Sequence, residues 1–570
     1  MEGLSSKYSS KRDTNYVPSD EEVIEIQGAL SEPLSRIKGL DDNIKELKKL
    51  IKVHEKERQM LSDEIRPYQQ LISPIRRLPV DLLREMFIQC LPRGHCSPMH
   101  ASYPPLSLTR VCSSWRSIAL STPRLWASIH ITIPNSAPPF HPSYIVPANN
   151  PVVSAHTLNI MTQRASAAKE WLEKSGACPL DISLHSWGTV EPTLGGLAIA
   201  SFLSFSNRWR SLKLTWGHIS SSTVADLLAA DLPILESFAL NGDVTVSAHT
   251  AFGHTTHALL WRNSGLMKAP RLREVSFSQL REDPTTFPLK WSQLTSLTLQ
   301  YVHWSLPHSL SFKTTFRMLG QCSSLIKCRL ELPPPISNVE MSEELEAVCL
   351  PHLKFLAIND GSTDISPYLS TLNLPSLENF EFFGTIQWSQ PNTRTSLHSI
   401  LSRTSSTLRR FTTDPKFFSK EDFESYLRLC PLLKSLQLLR SKTDSIPYGL
   451  PHSTWHINDE FLKRLSNADG VEQGFCPDLE EFECRSGAGF SDAAMLEFII
   501  HKQTQVTPGV AKLKRFAVHV NRSYDVKITE LTKAFVEDGL KLDIMHLGPR
   551  LAVSVLDGLP LPTFPPFFIP

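Results

Sequence analysis

No stretch of this 570-residue sequence approaches the roughly 18 consecutive apolar residues that a membrane-spanning helix needs, so no bilayer span is expected. Charge of one sign is missing as well: 58 Lys and Arg against 57 Asp and Glu leave a formal net charge of +1. That balance lacks the electrostatic footprint of a nucleic-acid or anionic-membrane binder. Residues 1–22 are polar and have no apolar core, which is not the pattern of a secretory signal. Catalytic signatures are absent too: there is no G-x-x-x-x-G-K-[ST], no G-x-G-x-x-G, no G-x-S-x-G and no H-E-x-x-H. Neither an enzyme nor a bound cofactor is expected. The ten cysteines are scattered, with no paired C-x-x-C spacing, and are expected to be reduced, buried thiols rather than a disulfide framework. His95, Cys96 and His100 in the loop 93–105, with Cys90 and Cys112 nearby, fit no metal-ligand spacing, nor do His249, His254 and His257. Both groups read as solvated loops, and no metal is expected. The expectation is an intracellular chain, with nucleus or cytoplasm left open.

What is present is a folded composition, 41% hydrophobic and 20% charged, in a length that suits several domains. Residues 1–20 are rich in Ser, Lys and Asp and read as a disordered tail. Over 21–72 an apolar seam recurs in steps of three and four: Val23, Ile26, Leu30, Ile37, Leu40, Ile44, Leu47, Ile51, Leu61, Ile65, Tyr68 and Ile72. This is a coiled-coil helix pattern. Pro33 falls on the seam and is expected to break it, so that the continuous helix starts near Ser35; Pro67 is expected to end or kink it. His54 and Arg58 also fall on the seam, where polar residues set register or partner. The seam predicts either a homodimer through 35–66 or a helix folded back on the hairpin that follows.

That hairpin, 73–131, organises the chain. Pro79 suits the first position of a helix, and Asp81 lies in its first turn, where a negative charge favours the dipole. Leu82, Leu83, Met86, Phe87, Cys90 and Leu91 repeat at helical spacing; after a Pro-rich break, Leu108, Val111, Cys112, Trp115, Ile118 and Ala119 do so again. Two short helices with this much apolar surface cannot bury all of it on each other. The pattern Leu78-Pro79-x-x-Leu82-Leu83-x-x-Met86-Phe87, then Val111-Cys112-x-x-Trp115-Arg116, resembles an F-box, and Thr122-Pro123-x-Leu125-Trp126-x-x-Ile129 resembles the form common in fungal F-box proteins. The resemblance covers about fifty residues. It implies a module that docks on a Skp-family adaptor, and through it on a cullin, while the rest of the chain selects a protein substrate for ubiquitination. It further implies that Pro79, Leu82, Leu83, Phe87 and Val111 contribute to the adaptor-binding surface, with Leu78 and Trp115 supporting the packing of the module. A hairpin of this type that engages no adaptor would leave a protein-interaction scaffold built on the seam and the repeats.

Residues 132–200 read as a linker with the first strand–helix units: a strand at 128–134, a proline-rich stretch at 134–151, a helix at 163–175 and a strand at 179–184. From about Trp209 the chain repeats itself. The unit is Leu-x-x-apolar-x-apolar, as in Leu235-x-x-Phe238-x-Leu240, Leu272-x-x-Val275-x-Phe277 and Leu294-x-x-Leu297-x-Leu299. Further copies start at Leu325, Leu353, Leu377, Leu408, Leu433, Leu479 and Leu513, at intervals of about 22 to about 46 residues. Prolines recur two residues before the first Leu: Pro233, Pro270, Pro351, Pro375, Pro431 and Pro477. A strand plus a helix is too small to bury its own apolar face, so such units must stack into a solenoid over 201–550. The pattern resembles leucine-rich repeats in irregular form. It departs from that family where an Asn or Cys is expected three residues after the last apolar position: Asp243, Leu280, Val302, Pro333, Gly361, Thr385, Ser441 and Gly487 stand there, and only Asn521 conforms. A plain βα-repeat domain is the alternative. Outward positions of the strands mix Arg, Lys, Glu, Thr and Ser with neither sign dominating, and no residue can be named for substrate binding. Residues 551–570 form a proline-rich tail, either free or capping the last repeats. The expected fold class is α/β: a coiled-coil helix, a short helical F-box and an irregular leucine-rich-repeat solenoid.

Overall fold

A computed structural model describes residues 14–134, 154–186, 192–216, 222–242, 261–278, 284–300, 312–331, 346–359, 366–383, 391–439, 457–466, 474–504, 511–520 and 527–546. The first thirteen residues, most of the linker 134–151, the three-histidine insertion and the tail 551–570 lie outside these. So do the repeat positions Asp243, Leu280, Val302, Pro333, Gly361, Thr385, Ser441 and Asn521. The chain is mixed α/β and divides into two compact units, Met1–Met86 and Phe87–Pro570.

The first unit is dominated by one helix, α1 (Asp20–Leu71), which runs through both Pro33 and Pro67. Its start is set by a reciprocal cap. Ser19 Oγ accepts from the Glu22 N–H at 3.4 Å, while the Ser19 N–H donates to Glu22 Oε2 at 3.0 Å. Asp20, Glu21 and Glu22 place three negative charges in the first turn, where the dipole favours them. The expectation of a helix beginning near Ser35 is therefore corrected: a proline removes one N–H bond, and the turns on either side carry the helix across it. A 3-10 turn (Pro74–Arg77) leads to α2 (Val80–Gln89), whose Leu83 N–H donates to the Pro79 carbonyl at 3.1 Å.

The second unit is built on an open, 14-stranded, all-parallel sheet whose strands follow chain order. Its first half is β1 (Ser128–Ile133), β2 (Leu180–Ser186), β3 (Trp209–Trp216), β4 (Ser237–Gly242), β5 (Glu274–Ser278), β6 (Ser296–Gln300) and β7 (Lys327–Glu331). The second half is β9 (Phe355–Asn359), β11 (Asn379–Phe383), β12 (Arg410–Thr413), β13 (Ser435–Leu438), β14 (Glu481–Ala488), β15 (Arg515–Val520) and β16 (Lys541–His546). Between them β8 (Val348–Cys349) and β10 (Leu372–Asn373) pair as a separate two-stranded parallel ribbon. Parallel neighbours need a return crossover, and helices supply several of them, among them Ala155–Lys174, Phe312–Leu319, Pro391–Thr404 and Asp492–Thr504. Every Leu-x-x-apolar-x-apolar copy falls on a strand. The sheet also extends beyond the region assigned to repeats: β1 and β2, set apart in the sequence as hairpin end and linker, are its first two strands, and β16 adds one that the pattern did not single out.

Register decides what is buried. One column of side chains runs Ile129, Ile182, Leu212, Phe238, Val275, Leu297, Cys328, Leu356, Phe380, Phe411, Leu436, Phe482 and Phe516, each opposite the next. All of these are buried. A second buried column, two residues on, includes Ile131, Leu184, Leu214, Leu240, Phe277, Leu299, Leu330, Ile358 and Phe382. The recurrent prolines also receive a reason. In the copies that proline precedes, a turn closes onto the first Leu: Leu235 N–H donates to Leu232 O, Leu272 to Ala269 O, Leu353 to Leu350 O, Leu433 to Cys430 O and Leu479 to Cys476 O. Proline stands at the second position of every one of these turns, where its fixed φ is already correct. The residue after that Leu then offers one carbonyl to two N–H groups of the next copy, as Glu236 O does for Arg273 and Glu274, and Glu378 O for Arg409 and Arg410.

Behind the C-terminal half of the sheet the core is a chain of aromatic rings. Phe382, Phe418, Phe423, Phe461 and Phe475 follow one another at centroid separations of 6.0–6.3 Å. Contacts of this kind add on the order of 1 kcal/mol each to the burial term. A buried ion pair sits beside them. Arg464 Nη1 lies 2.6 Å from Oε2 of Glu424, which is 7% exposed, and the Arg464 and Arg428 guanidinium groups rest 5.0 and 5.3 Å from the Phe475 ring. The pair ties the helix Lys420–Arg428 to Asp459–Ser466 of the next unit. Arg464→Ala should destabilise this region by about 1–3 kcal/mol, the loss of a short charge-assisted bond, with Arg428 Nη2 still 3.8 Å from Glu424 Oε2 to offset its charge. Hydrogen exchange of the amides in 420–428 and 459–466 checks it: unchanged protection would show that the ion pair is dispensable.

Candidate interaction surfaces

The hairpin region separates into buried and exposed residues in a way its spacing did not predict. On α2, Leu83 and Phe87 are 6% and 1% exposed, whereas Leu82 is 55%, Val80 47% and Met86 46% exposed. Pro79 is exposed and Leu78 is half-buried. Leu83 and Phe87 are therefore corrected from a surface role to packing, because side chains buried in the chain itself present nothing to a partner. Val111 is exposed, beyond the short turn Leu108–Arg110. Cys112 does not lie on an apolar helical face. It caps α3 (Ser113–Leu120), its Sγ accepting from the Trp115 N–H at 3.5 Å. Trp115, expected to support packing, is half-buried and lies tilted against Phe87 with centroids 4.7 Å apart.

The end of the hairpin is tied to the sheet. Leu125 and Trp126 are buried, Trp126 Nε1 donates to the Ala119 carbonyl at 2.9 Å, and the Trp126 ring meets Trp171 edge-on at 4.9 Å. The loop 93–105 is not a plain solvent loop. Ser97 is buried and its carbonyl accepts from the His130 N–H at 2.8 Å, while Pro98 forms a parallel bridge with His130. Ser97 and Pro98 of the loop thus cover the open edge of β1, the protection that an exposed strand edge requires. Between this loop, α3 and the helix Ala155–Lys174 lies an apolar groove of about 370 Å³, lined by Met99, Leu106, Leu120, Trp126, Trp171 and the Arg116 and Lys174 side chains, among others. Lys174 Nζ stands 5.4 Å from the Trp126 ring. No spacing in the sequence marks this groove, because its walls come from the hairpin and from a helix well beyond it in the chain.

The outward positions of the strands form a polar face. Its first half is hydroxyl-rich, with Ser183, Thr215, Asn241, Ser276 and Thr298 at alternate positions and Lys213 in register between Ser183 and Ala239. Its second half is charged and largely self-neutralised. Arg329 reaches Glu381 at 2.9 Å across the small Ala357 of the strand between, and Arg410 reaches Glu481 at 3.2 Å across Ser435. At the strand starts Glu480 lies 2.7 Å from Lys514 and 3.6 Å from Lys434, and the Lys514 hydrogen bond leads in holding its carboxyl below the usual range. The expected mixture of signs is what the face carries.

At the first strands His130 Nδ1 lies 3.1 Å from Ser183 Oγ, with the His185 ring 6.2 Å away. Burial, then the neighbouring His185, His95 and Lys213, push its pKa down to about 4. Cys96 is also raised, chiefly by burial. Five cysteines, Cys322, Cys328, Cys430, Cys476 and Cys484, are the buried thiols expected, whereas Cys90, Cys112 and Cys349 are exposed. Burial pushes Cys322 and Cys430 up to about 12, which leaves them unreactive. Among the described residues no three His, Cys, Asp or Glu side chains converge as a metal site, and no helix is long and apolar enough to cross a membrane.

No protein-family model matches this chain, and no curated protein matches it.

Two measurements follow from this geometry. Phe87→Ala should cost about 3–5 kcal/mol, the range for a buried aromatic, and Trp115→Ala less, because part of its ring is already in water. A double-mutant cycle on the pair should return a coupling of about 0.5–1.5 kcal/mol; additive losses would mean that the ring contact contributes nothing. The second concerns pH. His130 has a folded-state pKa below its ordinary 6.5, so its neutral form is the one the fold accepts. Stability is fully present above about pH 6.5 and is lost as pH falls toward 4, by roughly 3 kcal/mol at most. Unfolding of His130→Asn should lack that part of the acid sensitivity, and an unchanged pH profile would remove His130 as its source.

Proposed function

We propose that this protein is the substrate-recognition subunit of a Skp–cullin–F-box ubiquitin ligase. Its hairpin docks on a Skp-family adaptor, and the strand–helix stack, a degenerate leucine-rich-repeat solenoid, holds a protein substrate on its polar face. The observation that carries this reading is the two-sided apolar character of α2: Leu83 and Phe87 are buried, while Val80, Leu82 and Met86 stay in solvent on a ten-residue helix. Clustered exposed apolar side chains on one short helix mark an interaction site. The ordered residues Leu78-Pro79, Leu82-Leu83, Met86-Phe87 and Trp115-Arg116 are those of an F-box. In this reading the chain makes and breaks no bonds. It brings the substrate to a ligase assembled on the adaptor, and the paired charges of the polar face favour a partner that reads mixed polarity over one of high net charge.

The test is a complex with a purified Skp-family adaptor. Wild type should form it stoichiometrically, and Leu82→Asp with Met86→Asp should abolish it with the fold retained, since both side chains are already in water. Phe87→Asp is unsuitable, because a buried carboxylate there would unfold the hairpin and mimic a loss of binding. Failure of the wild-type chain to bind would overturn the ligase reading in favour of an interaction scaffold that works through the seam and the repeats.

A further inference from the structure

The long helix of the first unit presents a row of exposed apolar side chains among the described residues. Along α1 the seam residues Ile37, Leu40, Ile44, Leu47, Ile51, Leu61 and Ile65 are between 46% and 59% exposed. With His54 and Arg58 between Ile51 and Leu61 they alternate by three and four over about four heptads, and their chemistry is sorted. Ile stands at one seam position (Ile37, Ile44, Ile51, Ile65) and Leu at the other (Leu40, Leu47, Leu61). A β-branched residue at position a with Leu at d is the combination that favours two parallel strands over three or four. We infer that α1 pairs with the α1 of a second copy of this chain as a parallel, in-register, two-stranded coiled coil.

Orientation is decided by the two polar seam residues. In a parallel, in-register pair His54 meets His54 and Arg58 meets Arg58, so polar layers face polar layers and every other layer from 37 to 65 is apolar. In an antiparallel pair that overlaps residues 37–68 fully, Leu47 would face Arg58 and Ile51 would face His54, burying a charge against an aliphatic side chain twice over. The flanks agree. Position a packs beside the preceding flank of the other strand, so each Arg58 lies next to Glu57 of the second copy, and each His54 at d lies next to Glu55. Arg36 of one copy is placed to meet Asp41 of the other. The remaining flank pairs, Asn43 with Lys48, Leu50 with Glu55, Glu57 with Ser62 and Glu64 with Gln69, contain no like charges. The two prolines fit this arrangement: Pro33 lies on the N-terminal side of the paired stretch, and Pro67 falls between the seam positions Ile65 and Tyr68. The polar double layer sets the register, since a slip of one heptad would place Ile51 against Arg58 and Leu61 against His54.

Light scattering of the full chain should give twice its 64.1 kDa mass. Leu40→Asp with Leu47→Asp should return it to a monomer, with helix content near that of the wild type because neither side chain is needed by its own chain. A monomeric or trimeric wild type, or a double variant that stays dimeric, would overturn the proposal. Orientation has its own readout. Leu61→Cys should crosslink to itself under mild oxidation in excess of any background from the exposed Cys90, Cys112 and Cys349. An antiparallel pair would hold the two introduced thiols about 25 Å apart, seventeen residues of helix rise, so a dimer that fails to crosslink above the wild-type background would refute the parallel register.

Discussion

Everything in the second unit depends on parallel strands stacked without slipping. A strand and its return segment are amphipathic and too small to bury their own apolar side, so each unit is stable only against its neighbours. The side-chain period of a strand is two, and a slip of one residue would bring Lys213, Arg329 or Glu381 into the column that Leu212, Cys328 and Phe380 occupy. The turn that closes on most of the leading Leu residues, and the carbonyl that then receives two N–H groups from the next unit, hold the register in the backbone itself. Length between units is free by comparison, which is why copies of about 22 and about 46 residues fit the same sheet.

A stack of this kind has two ends and two faces, and the chain treats them differently. At the first end the hairpin does more than precede the sheet: its loop supplies Ser97 and Pro98 to the edge of β1, and Leu125, Trp126 and the strand itself continue from it. The polar face keeps its charges in check. Small residues such as Ala357 and Ser435 let Arg329 and Arg410 reach acidic partners two strands away, so the face is polar without a field of one sign. In the proposed ligase subunit that suits recognition of a folded or extended protein segment by many modest contacts, with α2 free to engage the adaptor through Val80, Leu82 and Met86.

Long-range order was written in the chain to an unusual degree. The Leu-x-x-apolar-x-apolar spacing marks ten strands of the sheet because side-chain alternation is a local property of a strand. The proline before six of the ten copies is equally local, since its φ is set by its own ring. The three-and-four spacing of the seam likewise announces α1. The local reading went wrong where two local rules competed. Pro33 argued for a break, yet the Ser19–Glu22 cap and the surrounding turns carried the helix across it.

What the sequence by itself determined is thus the period, the identity of the buried columns and the existence of a helical hairpin, all consequences of bonds and contacts between near neighbours. Only the tertiary structure decided which side of α2 faces the interior. A helix with a broad apolar face offers Leu82, Leu83, Met86 and Phe87 on equal terms, and burial of Leu83 and Phe87 leaves the others outside. The same holds for the 93–105 loop, whose cover of the sheet edge depends on a strand some thirty residues later, for the aromatic groove around Trp126 and Trp171, and for the ion pair between Glu424 and Arg464, forty positions apart. Each of these is set by packing between segments that share no local pattern, and no periodicity along the chain can express that.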